Sequence, residues 1–206
     1  MEISAAQKRW MWRALGVFLL ETIVIVAVNT LAHGWHTRWS ISYYVGLETW
    51  SAVGFVLGNL VVAWYFSKYL YAVGRAWQMP RWYYWLIVII GATLWGLSVC
   101  PLGYFARYGL GMADTVHKIC SRTMFLCMLI VAIMFTFSPY AKKANRIWGG
   151  IFAVYGTVAA VAYLSGVDVI LENMIFVESA YIFGFMLLSL SLQTKGEING
   201  SRSKSK

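Results

Sequence analysis

The sequence predicts an all-α polytopic membrane protein, a bundle of about six transmembrane helices with both termini in the cytoplasm. The first supporting observation is composition: of 206 residues, 60% are hydrophobic and 12% are charged. Soluble domains carry about 25% charged residues, so this chain has too few charges to cover a water-exposed surface. The other two observations are the lengths of the apolar segments and the distribution of the basic residues.

Six apolar segments are each long enough to cross a bilayer, which takes about 20 residues in a helix. Their runs are continuous, whereas membrane strands would be shorter and would alternate in polarity. We place the helices at 14–33, 43–66, 82–102, 122–138, 147–165 and 169–192. The sequence therefore predicts one transmembrane domain over residues 1–193 and a disordered, polar cytoplasmic tail over residues 194–206.

The 17 Lys and Arg residues are divided unequally between the two sides of the predicted membrane. One side holds only Arg38, Arg107, Lys118 and Arg122, and the other side holds all the rest. The positive-inside rule places the richer side, with both termini, in the cytoplasm. This pattern explains the net charge of +9 without a nucleic-acid partner. We expect the plasma (inner) membrane in a bacterium, or an internal membrane in a eukaryote.

Acidic side chains interrupt the predicted helices, where charge is costly. Glu21 and Glu178 fall near the middle of the first and sixth helices, Glu48 in the outer part of the second, and Glu172 at the outer end of the sixth. Three hypotheses remain open for Glu21 and Glu178. They are protonated structural acids that donate hydrogen bonds between helices, ligands for a polar group, or proton carriers in coupled transport.

The predicted outer loop between the third and fourth helices carries the most varied chemistry. Asp114, His117 and Lys118 have the i, i+3, i+4 spacing of one helical face, and Arg122 enters the following helix. This pattern fits an interfacial cap stabilised by ion pairs or a site for a headgroup or substrate. A weaker hypothesis makes His117 a catalytic general base that Asp114 orients, which would require a nucleophile or water within reach.

The remaining motifs are weakly specific. His33 and His36 lack the further clustered ligands that zinc requires, so we predict no metal and no cofactor. Cys100 and Cys120 lie near the outer membrane edge, where they would be free thiols or a disulfide. The Gly54-x-x-x-Gly58 spacing favours close helix packing, either within the chain or in a homodimer.

The third and fourth helices resemble a known family. Residues 96–101 read Gly-Leu-Ser-Val-Cys-Pro, and His117 leads into an apolar helix with Phe125. This is similar to the DRAM/Frag-like six-helix membrane family (damage-regulated autophagy modulator) and its uncharacterised bacterial relatives. The resemblance implies a six-helix bundle, matches Glu172 or Glu178 to an acidic residue of the last helix, and favours a role in lipid handling.

We therefore expect a protein that binds or transports a lipid or small amphiphile in an outward-facing polar cavity. Glu21, Glu48, Glu178 and Glu172 would contribute to the site, with Arg122 and His117 at its mouth. One alternative is a structural or accessory subunit with a membrane-protein partner. Another is a lipid-modifying enzyme that uses His117, which the lack of a GxSxG motif disfavours.

Overall fold

The computed structural model describes residues 3–167 and 172–192, and within them the chain is helical with no strand. A single 3₁₀ turn, Phe105–Tyr108, lies between the fourth and fifth of the α-helices. The α-helices are α1 (Ala5–His33), α2 (Ile41–Leu47), α3 (Thr49–Ala76), α4 (Arg81–Val99), α5 (Met112–Phe137), α6 (Lys143–Leu164) and α7 (Met174–Ser191).

Six of these helices, all except the short α2, are long and apolar enough to cross a membrane. The prediction of an all-α bundle with six transmembrane helices is confirmed. The N-in, C-in orientation stays a prediction, and the outer end of the bundle is named according to it. The outer end holds the segment 34–48, which includes α2, the connection 100–111, and the described residues 165–167 and 172–173 between α6 and α7. The predicted disordered tail, 194–206, lies outside the described residues.

Several helices begin earlier than the apolar runs indicate, because polar residues extend their first turns. Helix α1 starts at Ala5 rather than residue 14, and a capping box precedes it. The Ser4 hydroxyl accepts from the Gln7 backbone N–H, and the Gln7 side-chain oxygen accepts from the Ser4 backbone N–H. Helix α5 starts at Met112 rather than residue 122. His117 is therefore a helical residue, and it is buried, with 5% of its surface exposed.

The predicted second helix is broken at Glu48, which has extended backbone with φ −133° and ψ 147°. The break separates α2 from α3, so Glu48 precedes α3 instead of lying inside a helix as predicted. Ser51 satisfies carbonyl groups at the break, because its hydroxyl is 2.8 Å from the carbonyl oxygens of both Val45 and Glu48. A polar side chain thus replaces the lost helical hydrogen bonds.

The long helices that follow one another in sequence pack side by side, from α1 through α3, α4 and α5 to α6, and α7 packs against α6 and α1. Buried tyrosines connect these helices through hydrogen bonds to backbone carbonyl groups. Tyr69 of α3 donates to the Ser189 carbonyl of α7 at 2.6 Å, and Tyr83 of α4 donates to the Leu70 carbonyl of α3 at 2.8 Å. Such bonds are valuable where lipid offers no competing water.

Candidate functional site

The candidate site is a cavity of about 370 Å³ between α5, α6 and α7 at the outer end of the bundle. Drug-sized ligands occupy pockets of about 300–1,000 Å³. Ser40, just before α2, and Leu102, just after α4, also line this cavity. Its other lining residues come from the three helices: His117, Lys118, Ser121, Arg122, Phe125, Leu126, Leu129, Gly156, Ala159, Ala160, Tyr163, Leu164, Met174, Val177, Glu178 and Tyr181.

His117 is fixed in one orientation at the polar part of this wall. Its Nδ1 lies 3.1 Å from the Leu97 carbonyl oxygen and 2.8 Å from the Cys100 carbonyl oxygen. Because both neighbours are acceptors, the geometry assigns a proton to Nδ1. In the neutral ring, Nε2 is then the hydrogen-bond acceptor, and it is the ring nitrogen available to a ligand in the cavity. The sequence hypothesis gave the orienting role to Asp114, but here backbone carbonyls perform it.

Lys118 and Arg122 add two cations to the same wall, one helical turn apart on α5. The Arg122 guanidinium lies over the Tyr163 ring at 5.6 Å from its centroid. Within residues 3–167 and 172–192, neither cation forms an ion pair with a carboxylate. Two positive charges are therefore available to a ligand that enters the cavity.

Glu178 supplies the acidic group of the cavity. It lies four residues after the start of α7 at Met174, so it belongs to the outer end and not to the middle of the last helix as predicted. Its Oε2 accepts a hydrogen bond of 3.0 Å from the Ile41 backbone N–H. This bond joins the first residue of α2 to α7, and the Arg38–Glu172 ion pair joins the same two regions nearby.

The apolar part of the cavity is closely packed around Tyr181. The Tyr181 hydroxyl donates to the Phe125 carbonyl oxygen at 2.8 Å and so connects α7 to α5. Gly156 of α6 leaves room for this ring, because a Cβ at that position would lie 2.8 Å from Tyr181 Cε2. The cavity thus has a polar end and an apolar wall of defined shape.

Because the exposed lining residues of the cavity lie on α5 and α6, we infer that it opens between these two helices toward the outside of the bundle. Lys118, Arg122 and Leu126 form an exposed stripe on α5, and Ala160 and Leu164 are exposed on α6. The stripe has the i, i+4, i+8 spacing of one helical face. Its two charged members lie toward the outer end, and the apolar member lies deeper.

The structure separates the residues that the sequence grouped in one site. Glu178, Arg122 and His117 line the cavity together. Glu48 instead lies 3.0 Å from His33 Nε2, and Glu172 pairs with Arg38. Asp114 Oδ1 accepts a hydrogen bond of 2.9 Å from the Gly103 N–H, and Glu21 packs against Gly58.

Glu21 occupies a second polar position, in the interface between α1 and α3. A Cβ on Gly58 would lie 1.5 Å from its Oε2, so the carboxyl fills the space that this glycine leaves open. Both carboxyl oxygens are buried without a hydrogen-bond partner among the described residues. The hydroxyl of Thr22, which follows Glu21 on α1, and the amide group of Asn59, which follows Gly58 on α3, are also buried without a hydrogen-bond partner among the described residues.

The cavity is also lined by Lys118 and Ser121, and by Ser40 and Tyr163. Sequence reasoning named Lys118 only in the outer-loop pattern with Asp114 and His117, and it did not name the other three. Lys118 and Ser121 have a signal in the sequence, because they continue the helical spacing from His117 to Arg122 once α5 is extended to Met112. Ser40 and Tyr163 reach the cavity only through the packing of distant segments. No local pattern indicates them.

The cysteines Cys100, Cys120 and Cys127 are free thiols in this structure. Burial, and then the neighbouring Cys120 thiol, raise the pKa of Cys100 above its ordinary value. The sequence left open either free thiols or a disulfide for Cys100 and Cys120, and in the structure both are free thiols.

We compared the chain with protein families, curated proteins and solved structures. No family model matches it, no curated protein matches it, and no solved structure matches it. The resemblance to the DRAM/Frag-like family stays a prediction. What is established is the class: the chain is a multi-pass membrane protein with six helices long and apolar enough to span a bilayer.

Proposed function

We propose that this protein binds a lipid or small amphiphile in the cavity between α5, α6 and α7. The observation that supports this function is the division of the cavity into two chemical parts. His117, Lys118, Arg122 and Glu178 supply charge and hydrogen bonds, and an apolar wall from Phe125 onward supplies a surface for hydrocarbon. A ligand that matches both parts is amphiphilic.

The position of the cavity agrees with this proposal. On the predicted topology its charged residues lie near the headgroup level of the outer leaflet, where Lys and Arg reach the membrane–water interface. The opening between α5 and α6 faces the surrounding lipid, so an amphiphile would enter sideways without leaving the membrane. Glu21 and Glu48 take no part in this proposal, because they lie elsewhere in the bundle.

The test is native mass spectrometry of the gently solubilised protein, with identification of the small molecules that copurify. Ala160→Trp places a large side chain at the exposed opening, and Val161→Trp is the matched control on the next, exposed position of α6 outside the cavity. We expect a bound amphiphile in the wild type and in the control, and about tenfold less in Ala160→Trp, which corresponds to about 1.4 kcal/mol of binding free energy.

Retention of the same molecule by Ala160→Trp would contradict the proposal. So would a wild-type protein that carries no amphiphile and copurifies instead with a second protein in fixed ratio. That result would favour the accessory-subunit interpretation of the sequence.

A further inference from the structure

We infer that the occupant of the cavity is a phospholipid whose headgroup carries a hydrogen-bond donor, with its phosphate held by Lys118 and Arg122. This inference rests on the proposed function and adds the headgroup chemistry to it. It depends on the identity and the engagement of the charged groups around the polar end of the cavity.

The phosphate follows from the two cations. Lys118 and Arg122 are exposed, lie one turn apart on α5 and have no carboxylate partner among the described residues. A guanidinium binds phosphate oxygens through two parallel N–H groups, and an ammonium adds a compact positive charge. A phosphodiester that bridges this pair would accept hydrogen bonds from both cations at the level where lipid phosphates lie.

The donor follows from the acceptors in the same cavity. Glu178 uses Oε2 for the Ile41 N–H, and its Oε1 has no donor in the described part of the chain. His117 has its Nδ1 turned to the carbonyls of Leu97 and Cys100, which leaves Nε2 as a second acceptor. A headgroup with only an anion would leave these acceptors unmatched, and an amine or hydroxyl group would satisfy them.

The apolar wall indicates a lipid rather than free phosphate as the source of the anion. Leu126, Leu129 and Ala160 lie along the cavity beside and below the cations. An acyl chain can pack against this apolar wall, whereas inorganic phosphate has no group that contacts it. The cations then position the headgroup, and the wall accommodates the acyl chain.

The experiment titrates the delipidated full-length protein and measures bound lipid by native mass spectrometry. The probes have matched acyl chains: phosphatidylethanolamine, phosphatidylglycerol, phosphatidylcholine and diacylglycerol, with inorganic phosphate as a competitor. We expect the two donor-bearing phospholipids to bind most tightly, phosphatidylcholine several-fold more weakly, and diacylglycerol at least about tenfold more weakly. Millimolar phosphate should not displace the lipid.

Variants assign the preference to individual residues. Arg122→Gln and Lys118→Gln should each reduce the advantage of phospholipid over diacylglycerol by about threefold. Glu178→Gln should instead reduce the advantage of phosphatidylethanolamine over phosphatidylcholine. Arg107→Gln is the control, because Arg107 is an exposed cation at the same end of the bundle but outside the cavity.

The outcomes separate this inference from the proposed function. If diacylglycerol binds as tightly as the phospholipids, the inference is overturned and amphiphile binding stands. If phosphatidylcholine equals phosphatidylethanolamine, the donor requirement is wrong. Displacement by inorganic phosphate would show that the anion alone is recognised. If none of the probes binds, and Ala160→Trp retains as much copurifying amphiphile as the wild type, both proposals fail.

Discussion

Glu21 and Glu178 both carry a carboxyl group on an apolar helix, but their surroundings differ in hydrogen bonding and in access to a cavity. Glu21 lies twelve residues before the end of α1 at His33, in the closed α1–α3 interface, and neither of its oxygens has a donor among the described residues. Glu178 lies at the outer end of α7, receives the Ile41 N–H and lines an open cavity.

The difference shows how a membrane protein uses the same side chain for two purposes. At the cavity, a backbone donor holds the Glu178 carboxyl in place and cations on α5 line the same cavity, so the site is organised for a polar ligand. Glu21 lies in the α1–α3 interface, and its carboxyl oxygens, like the side-chain polar atoms of Thr22 and Asn59, are buried without a hydrogen-bond partner among the described residues. Unsatisfied polar groups in a membrane interior cost free energy, so Glu21 should reduce the stability of the fold whereas Glu178 should increase it.

The largest effect that we expect comes from replacing each carboxyl with methionine, which keeps a similar length without polar oxygens. Glu21→Met should increase the free energy of unfolding by about 1–3 kcal/mol, because it removes a buried group that has no partner among the described residues. Glu178→Met should decrease it by about 1–3 kcal/mol, because the Ile41 N–H loses its acceptor. Reversible unfolding in mixed detergent micelles measures both values, and two changes of equal sign would remove the distinction between the regions.

The next effect concerns Gly58. Gly58→Ala places a methyl group where the Glu21 carboxyl lies, whereas a Cβ on Gly54 would have no neighbour within 4 Å. We expect Gly58→Ala to destabilise the protein by about 1–3 kcal/mol, as overpacking does, and the control Gly54→Ala to have little effect. The double variant Gly58→Ala/Glu21→Ala should recover much of the loss. No recovery in that double variant would mean that the methyl group clashes with something other than the carboxyl.

The smallest effect should come from the Arg38–Glu172 ion pair beside the cavity. Its side chains are 71% and 48% exposed, so water screens most of the attraction. Arg38→Gln should change the free energy of unfolding by less than about 1 kcal/mol, well below the effect of Glu178→Met in the same assay. A larger loss would show that this pair, rather than the Glu178 hydrogen bond, holds the region before α2 against α7.

Much of the fold was predictable because the signals are local. The GxxxG spacing predicted close packing at both Gly54 and Gly58. A Cβ on Gly58 would meet the Glu21 carboxyl, whereas a Cβ on Gly54 would have no neighbour within 4 Å. The break at Glu48 was not predicted, since residues 43–66 form one continuous apolar run and the hydroxyl of Ser51 supports the break from within that run. The early start of α5 was missed because its first turns are polar.

The sequence by itself determined the membrane class and the six crossings, because each depends on hydropathy summed over about 20 neighbouring residues. It also identified Glu178, Arg122 and His117 as unusual residues for an apolar chain. Only the tertiary structure decided that these three share a cavity while Glu21, Glu48 and Glu172 do not. The reason is that contacts such as Ile41 with Glu178 depend on how distant helices are rotated and packed against one another, which no local pattern encodes.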